Sequence, residues 1–366
     1  MRVTLPILFR LIATVFIAAC AISAGAKPLK NTKSKVPAKS AARPPAEAPA
    51  YRNRPEAMLA ADEIADRLQL DPNWVRQAIG SARMQSSIVR ASTPPAVGTP
   101  KNWAVYRSRF IDPVRIRAGV KFWQDNQATL ERAERETGVP ASIIVGIVGV
   151  ETIYGQQTGT YRVIDALCTL AFDFPAEHRR AADRARFFRG ELEAYLGLTA
   201  RTGTDPLALR GSYAGAMGLP QFMPSSWAKY AVDFDGDGRV DLFHSAADVI
   251  GSVANYFVAF GWQRGLPTHY PVDFDLARLD RATLLAPDIR PTFSPSAMRD
   301  KGVLLGPEAQ AHPSLLALVE LQNGADAPLY IAGTANFYAI TRYNWSSYYA
   351  LAVIQLGEEV AAAMPK

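Results

Sequence analysis

Apolar residues recur at helical spacing through most of this chain and then stop doing so. The run PEAMLAADEIADRLQL reads as a helix, and Asp71-Pro72 opens a second one carrying Trp74, Val75 and Ile79. Asp112-Pro113 starts what the spacing makes one long helix, with Ile116, Val120, Trp123 and Leu130 on one side. From Pro140 to Trp262 the pattern is mostly helical with Gly-rich connections, and no internal repeat is visible there. After Gly265 proline becomes frequent, helical spacing fades and short β-type runs appear. ALVELQNGADAPLYIAG reads as a hairpin turning near Asn323-Gly324. Helical spacing returns from about Ser346 to Met364. The pattern predicts a mainly α protein, α+β in detail, with a small β-rich insertion before its final helix.

The N-terminal residues follow another pattern. Arg2 and Arg10 flank an apolar run and LIATVFIAA follows, which together read as a secretory signal too short to stay as a membrane span. Two processing sites fit. Ala24-Gly25-Ala26 is an A-x-A cleavage site, whereas Ile17-Ala18-Ala19-Cys20 resembles a bacterial lipobox in which Cys20 takes the lipid. Residues 27 to 50 are Lys, Pro and Ala with almost nothing to bury, a disordered tether. Either cut leaves Cys168 as the only thiol, which excludes an internal disulfide and makes it a buried small hydrophobe.

With 366 residues, 49% of them hydrophobic, the chain can bury two or three packed units. Its net charge of +6 favours an anionic partner. Much of that charge sits in KPLKNTKSK and its neighbours, and no basic motif lies on a folded element, which argues against nucleic acid. A polyanionic bacterial envelope accounts for the charge equally well.

The stretch GIVGVETIYG sets a lone carboxylate, Glu151, near the end of an apolar helix. Pro140 suits that helix's first turn and Gly155 the position just past its end. Ile143, Ile144, Ile147 and Val148 make the buried face, and Glu151 points along it by its spacing from Ile147 and Val148. Apolar surroundings and the negative end of the helix dipole both disfavour ionisation, so its pKa is expected to rise. A carboxyl protonated near neutrality is what general-acid chemistry on a glycosidic oxygen requires. The alternative is a structural Glu bonded to an Arg or to backbone amides.

Two further segments carry chemistry. In GSYAGAMGLPQFMPSS the small residues allow close backbone approach to another chain or a ligand, and Ser212 and Gln221 supply hydrogen-bonding groups. Tight helix packing would ask for the same residues. DFDGDGRVDL begins like a calcium loop of EF-hand type: Asp233, Asp235 and Asp237 at the first three ligand positions, Gly238, the Arg239 carbonyl, then Asp241. The twelfth position is His244 rather than Glu, and Asp248 at a helix start could close the shell instead. A metal-free Asx-rich turn is the alternative. No partner loop has the pattern, so one structural ion fits better than paired calcium sensing.

Taken in order, GVETIYG, GSYAGAMGLPQFMPSSW and VDFDGDGRVDL…DVIGSVANYFVAFGW closely resemble the membrane-bound lytic murein transglycosylase B family of bacterial cell-wall enzymes. The resemblance runs from about Tyr51 to the final helix and is weakest across the Pro-rich stretch after Gly265. It implies a lysozyme-like catalytic core (131–265, with the calcium loop at 233–248), a helical domain (51–130), a small β-rich domain (266–335) and a C-terminal groove segment and helix (336–366). These follow a signal of residues 1–26, or 1–19 ahead of a lipidated Cys20, and the 27–50 tether. It implies cleavage of the β-1,4 bond between N-acetylmuramic acid and N-acetylglucosamine without water, leaving 1,6-anhydro ends. Glu151 is then the single general acid and base, an exception that the two-carboxylate rule allows.

Substrate contacts carried over by the resemblance are Tyr106, Arg184, Ser212, Gln221, Tyr256, Tyr343 and Asn344. The metal ligands carried over are Asp233, Asp235, Asp237, the Arg239 carbonyl and Asp248, with Ca2+ as a single structural ion and no organic cofactor. One position departs: the family's first Arg before FF-x-x-EL is Asp183 here, with Arg179 and Arg180 just upstream. The implied partners are peptidoglycan strands and other cell-wall enzymes, for a monomer in the periplasm of a Gram-negative bacterium, anchored to the outer membrane if Cys20 is lipidated. A hydrolytic muramidase of the same fold and a non-catalytic wall-binding protein are the rival readings.

Overall fold

The computed structural model describes residues 50–93 and 101–365. The signal, lipobox and tether readings on residues 1–49 lie outside them. Helix starts follow proline and short polar side chains. Helix α1 (Pro55–Leu68) begins on proline, and α2 (Pro72–Ser81) begins where the Asp71 carboxylate accepts from the Asn73 N–H at 2.9 Å. After α3 (Ser86–Ser92), Asn102 caps α4 (Trp103–Ser108) and Asp112 caps α5 (Pro113–Asp125).

The single long helix expected from Asp112 is two helices. Asn126 leaves helical backbone at φ −125° and ψ 19°, and α6 (Gln127–Thr137) restarts immediately. Its side-chain amide donates to the Phe122 carbonyl at 2.8 Å, replacing a backbone bond in a way that apolar spacing does not register.

The core is organised around α7 (Ala141–Thr152). Ten of its twelve residues are buried, leaving only Ser142 and Glu151 partly open. The expected apolar face is therefore a whole circumference, the mark of a central helix. Strand β1 (Tyr161–Arg162) leads into α8 (Val163–Phe172) and the long α9 (Ala181–Thr202), and pairs antiparallel with β2 (Arg210–Gly211). Helices α10 (Pro224–Tyr230) and α11 (Ala246–Ala259) complete this part.

The region after Gly265 holds β3 (His269–Phe274), α12 (Arg281–Leu285), α13 (Pro295–Asp300), β4 (Val303–Leu305), α14 (Pro307–Gln310), β5 (Ala317–Asn323) and β6 (Asp326–Gly333). Its strands form an antiparallel sheet in the order β4-β3-β6-β5, and the β5–β6 hairpin turns through Gly324 at φ 69°. Strand alternation divides the sheet between two cores. Tyr270, Leu318 and Ala332 join Leu284 and Met298 in a local core, while Val319, Leu321 and Ile331 join the main one. The chain then returns through α15 (Ala335–Thr341) to α16 (Ser347–Ala362).

Helices α7 and α16 cross antiparallel and unusually close. A Cβ on Gly146 would lie 2.2 Å from the Val353 carbonyl oxygen, and one on Gly357 would lie 2.1 Å from that of Ser142. Only glycine fits at either position. This register carries Tyr349 of α16 alongside Glu151 of α7.

Candidate active site

The Tyr349 hydroxyl donates to Glu151 Oε1 at 2.5 Å. Tyr349 is fully buried, and Glu151 is half-buried at the last turn of α7. Burial raises the Glu151 pKa to about 7, with the Tyr349 hydrogen bond pulling the other way. Among the described residues no Lys or Arg pairs with it and no backbone amide binds it.

The helix ends right after the carboxylate because Ile153 and Tyr154 both turn left-handed, at φ 51° and 55°. That conformation is costly for a β-branched residue and needs holding in place. Thr152 does the holding: its Oγ1 donates to the Leu219 carbonyl at 2.9 Å and accepts from the Gly155 N–H at 3.0 Å. Leu219 in turn donates its N–H to the Leu242 carbonyl at 2.9 Å. One residue's backbone thus joins GVETIYG, GSYAGAMGLPQ and the acidic loop.

Tyrosines surround the carboxyl. Tyr343 stacks on Tyr349 at 6.3 Å with 16° between the ring planes, and its hydroxyl donates to the Pro220 carbonyl at 2.5 Å. Tyr256 packs on Tyr343 at 4.8 Å, and its hydroxyl donates to the Arg342 carbonyl at 2.8 Å. Tyr106 lies against Tyr348 at 5.7 Å. Burial pushes all four phenols (106, 256, 343, 349) up, and the Glu151 charge adds to that at each. The tyrosines expected from sequence therefore collect around one acid.

The other expected contacts are placed differently. Ser212 Oγ accepts from the Ala214 and Ala216 N–H groups at 3.3 and 3.1 Å, so it shapes its own turn. Gln221, at φ 51°, donates its side-chain amide to the Thr158 and Gly218 carbonyls. Asn344 is buried. Arg184 feels Arg180 and Tyr213 rather than Glu151, and burial with the Arg180 charge holds its pKa down. Asp183 bridges Arg180 at 3.3 Å and Arg186 at 3.4 Å.

In the acidic loop, Asp233, Asp235 and Asp248 bring one carboxylate oxygen each within 4.8 Å of one another. Asp237 is not gathered with them; its Oδ1 accepts from the Arg239 N–H at 2.8 Å. His244, at the twelfth position, turns its ring to Asp241 at 2.9 Å. Asp248 is 1% exposed and receives the Phe234 and Asp241 N–H groups, both at 2.7 Å. The donors are oxygen only, and no Lys or Arg among the described residues pairs with the three carboxylates. That set fits a hard divalent cation.

The transglycosylase SLT domain family matches residues 54–358. The chain belongs to that family. It is 38% identical over 334 residues to membrane-bound lytic murein transglycosylase B of Escherichia coli (strain K12), covering 86% of this chain and 84% of that protein. The structure of the E. coli lytic transglycosylase Slt35 with bulgecin A superposes with a TM-score of 0.76 at 38% identity, covering 87% of this chain and 96% of that one. The calcium complex of Slt35 gives 0.75 at 37% identity, covering 87% and 96%. SltB3 of Pseudomonas aeruginosa, in complex with NAG-anhNAM-pentapeptide, gives 0.65 at 28%, covering 83% and 81%. As a transglycosylase of this family, the chain is an enzyme with a lysozyme-like, mainly α fold.

Sequence reasoning passed over Tyr349, the hydrogen-bond partner of Glu151, which lies 198 residues away. It also passed over the Gly146–Gly357 crossing that places it. The available signal was a pair of glycines in two otherwise apolar helices.

Proposed function

We propose that this lytic transglycosylase cleaves the β-1,4 bond between N-acetylmuramic acid and N-acetylglucosamine, with Glu151 as its single acid and base. The observation that carries the reading is a half-buried carboxyl with a pKa near 7, held at one oxygen by Tyr349 and unpaired with any cation among the described residues. Such a group is protonated in a useful fraction of molecules at neutral pH.

Glu151 gives its proton to the glycosidic oxygen as the muramic C1–O bond breaks, and the bonding pair leaves with N-acetylglucosamine. The substrate's acetamido oxygen closes on C1. The muramic C6 hydroxyl then displaces that oxygen from C1 and passes its proton to the Glu151 carboxylate, which regenerates the acid. No water is consumed. Tyr106, Tyr256 and Tyr343 offer aromatic surface to the sugars, with Gln221, Ser212, Asn344 and Arg184 as further contacts. One Ca2+ held by Asp233, Asp235 and Asp248 would pin the acidic loop, with Asp237 and the Arg239 carbonyl as the ligands still to be tested.

The reading places the enzyme in the periplasm, either lipidated at Cys20 or released after Ala26. Palmitate labelling of wild type against Cys20→Ala decides between the two. The deciding test of function is digestion of purified sacculi followed by mass analysis. Products one water lighter than hydrolysed fragments, absent with Glu151→Gln, are expected. Hydrolysed products would make the chain a muramidase, and binding without soluble product would make it a wall-binding protein.

A further inference from the structure

Arg342 is buried to 7% exposure, yet no carboxylate, carbonyl or hydroxyl among the described residues accepts from its guanidinium. Its nitrogens nonetheless remain open to solvent. Arg54, Arg115 and Arg162 are all more exposed, and each holds a carboxylate, from Asp173, Asp112 and Asp165 respectively. Three rings lie against Arg342, Trp345 at 4.9 Å, Phe260 at 5.5 Å and Tyr338 at 5.7 Å from its central carbon, and its charge reaches the Tyr230 and Tyr256 phenols. Ring faces attract a cation but offer no acceptor to its N–H groups.

A second guanidinium shares the same indole. Arg290, from the β-rich insertion, lies 5.7 Å from the Trp345 ring centre and has no ion pair among the described residues. Both guanidinium groups lie against the Trp345 ring, at 4.9 and 5.7 Å from its centre, so an anion bound beside this ring would meet two cationic side chains. The planar guanidinium fork matches a carboxylate through paired hydrogen bonds.

The position connects this feature to the acid. The Arg342 carbonyl takes the Tyr256 hydroxyl, Tyr256 packs on Tyr343, and Tyr343 stacks on Tyr349, the partner of Glu151. We propose that Arg342, with Arg290 and the Trp345 ring, receives a carboxylate of the glycan substrate beyond the tyrosines that surround Glu151. This rests on peptidoglycan being the substrate. Its carboxylates come from two sources, the peptide stem and, where the stem has been removed, the lactyl group of muramic acid.

The test measures binding by calorimetry in the inactive Glu151→Gln background, so that turnover does not interfere. Three ligands are compared: peptide-bearing glycan fragments, the same fragments stripped of stems by an amidase, and chitooligosaccharide, which has no carboxylate. Adding Arg342→Gln is expected to weaken peptide-bearing fragments about ten-fold and leave chitooligosaccharide affinity unchanged, with Arg342→Lys recovering part of the loss. Weakening that persists on stripped fragments assigns the lactyl carboxylate; weakening confined to peptide-bearing ones assigns the stem. Equal weakening on chitooligosaccharide, or none on either charged ligand, overturns the proposal. Should Arg342→Gln fail to fold, the exposed Arg290→Gln decides. It is expected to weaken the charged ligands about three-fold, and unchanged binding would overturn the site. Hydrolysed products from the wild-type enzyme would remove the anhydro mechanism while leaving this binding result intact.

Discussion

Glu151 and Glu191 are both carried on helices, and burial raises the pKa of both. They differ in what touches them. Glu191, 4% exposed on α9, accepts from the Ser225 N–H at 2.9 Å through one oxygen and from the Ser225 hydroxyl at 2.7 Å through the other. It thereby caps α10, whose own N-cap residue, Met223, has no capping side chain. Both oxygens are committed to structure. Glu151 has one oxygen on a tyrosine hydroxyl and stands partly open at a helix end. Burial alone does not separate a working acid from a structural one; an uncommitted oxygen does.

The largest effect that tests this contrast is Glu151→Gln, expected to cut anhydro-product release by roughly 10³-fold or more with the melting temperature kept or raised. Calcium removal comes next. Chelation is expected to lower stability by about 2.7 kcal/mol from a state with ion at a hundred times its dissociation constant, read as a drop in melting temperature. Because Leu242 is tied to Leu219, and Leu219 to Thr152, activity should fall at temperatures where the helical signal is still intact. An unmoved melting temperature at millimolar calcium would remove the ion from the account.

Glu191→Ala follows, with an expected loss of about 1–3 kcal/mol from a stranded Ser225 and a lost cap. Activity per folded molecule should hold. If folded Glu191→Ala were as inactive as Glu151→Gln, the distinction would collapse. The smallest effect belongs to Tyr349→Phe. The hydrogen bond it removes lowers the Glu151 pKa, so the alkaline limb of kcat/KM, set near pH 7 in the wild type, should move to higher pH. A limb that moves down or stays put would show that Tyr349 does not bear on the acid.

Stability has its own pH signature. Burial keeps more protons on Glu151 in the folded than in the unfolded chain, so this contribution is full below about pH 4.5 and is lost as pH rises through about 7. Glu151→Gln should flatten that part of the stability curve.

The sequence was informative where one element carries its own signal. Glu151 could be read as perturbed because a lone carboxylate in an apolar run leaves few outcomes, and the spacing of Asp233, Asp235 and Asp248 survives in the structure. It was less so where placement depends on elements far apart in the chain. Tyr349 reaches Glu151 only through the crossing of α7 and α16, and nothing local to SSYYALAV marks it. The break at Asn126 was missed because a side-chain amide there substitutes for a backbone bond. Asp237 keeps the motif's spacing but stands outside the cluster of Asp233, Asp235 and Asp248.

The antiparallel crossing has a consequence for synthesis. Helix α7 is apolar on every side, and Tyr349 and the glycine-fitted groove that cover it come some two hundred residues later in the chain. Until those late residues emerge, α7 has α5, α6 and α11 to pack on, the greasy side that meets α16 is bare, and the acid lacks its tyrosine. A wall-cutting enzyme built this way stays inert while incomplete, and a product truncated ahead of residue 347 should be insoluble rather than active.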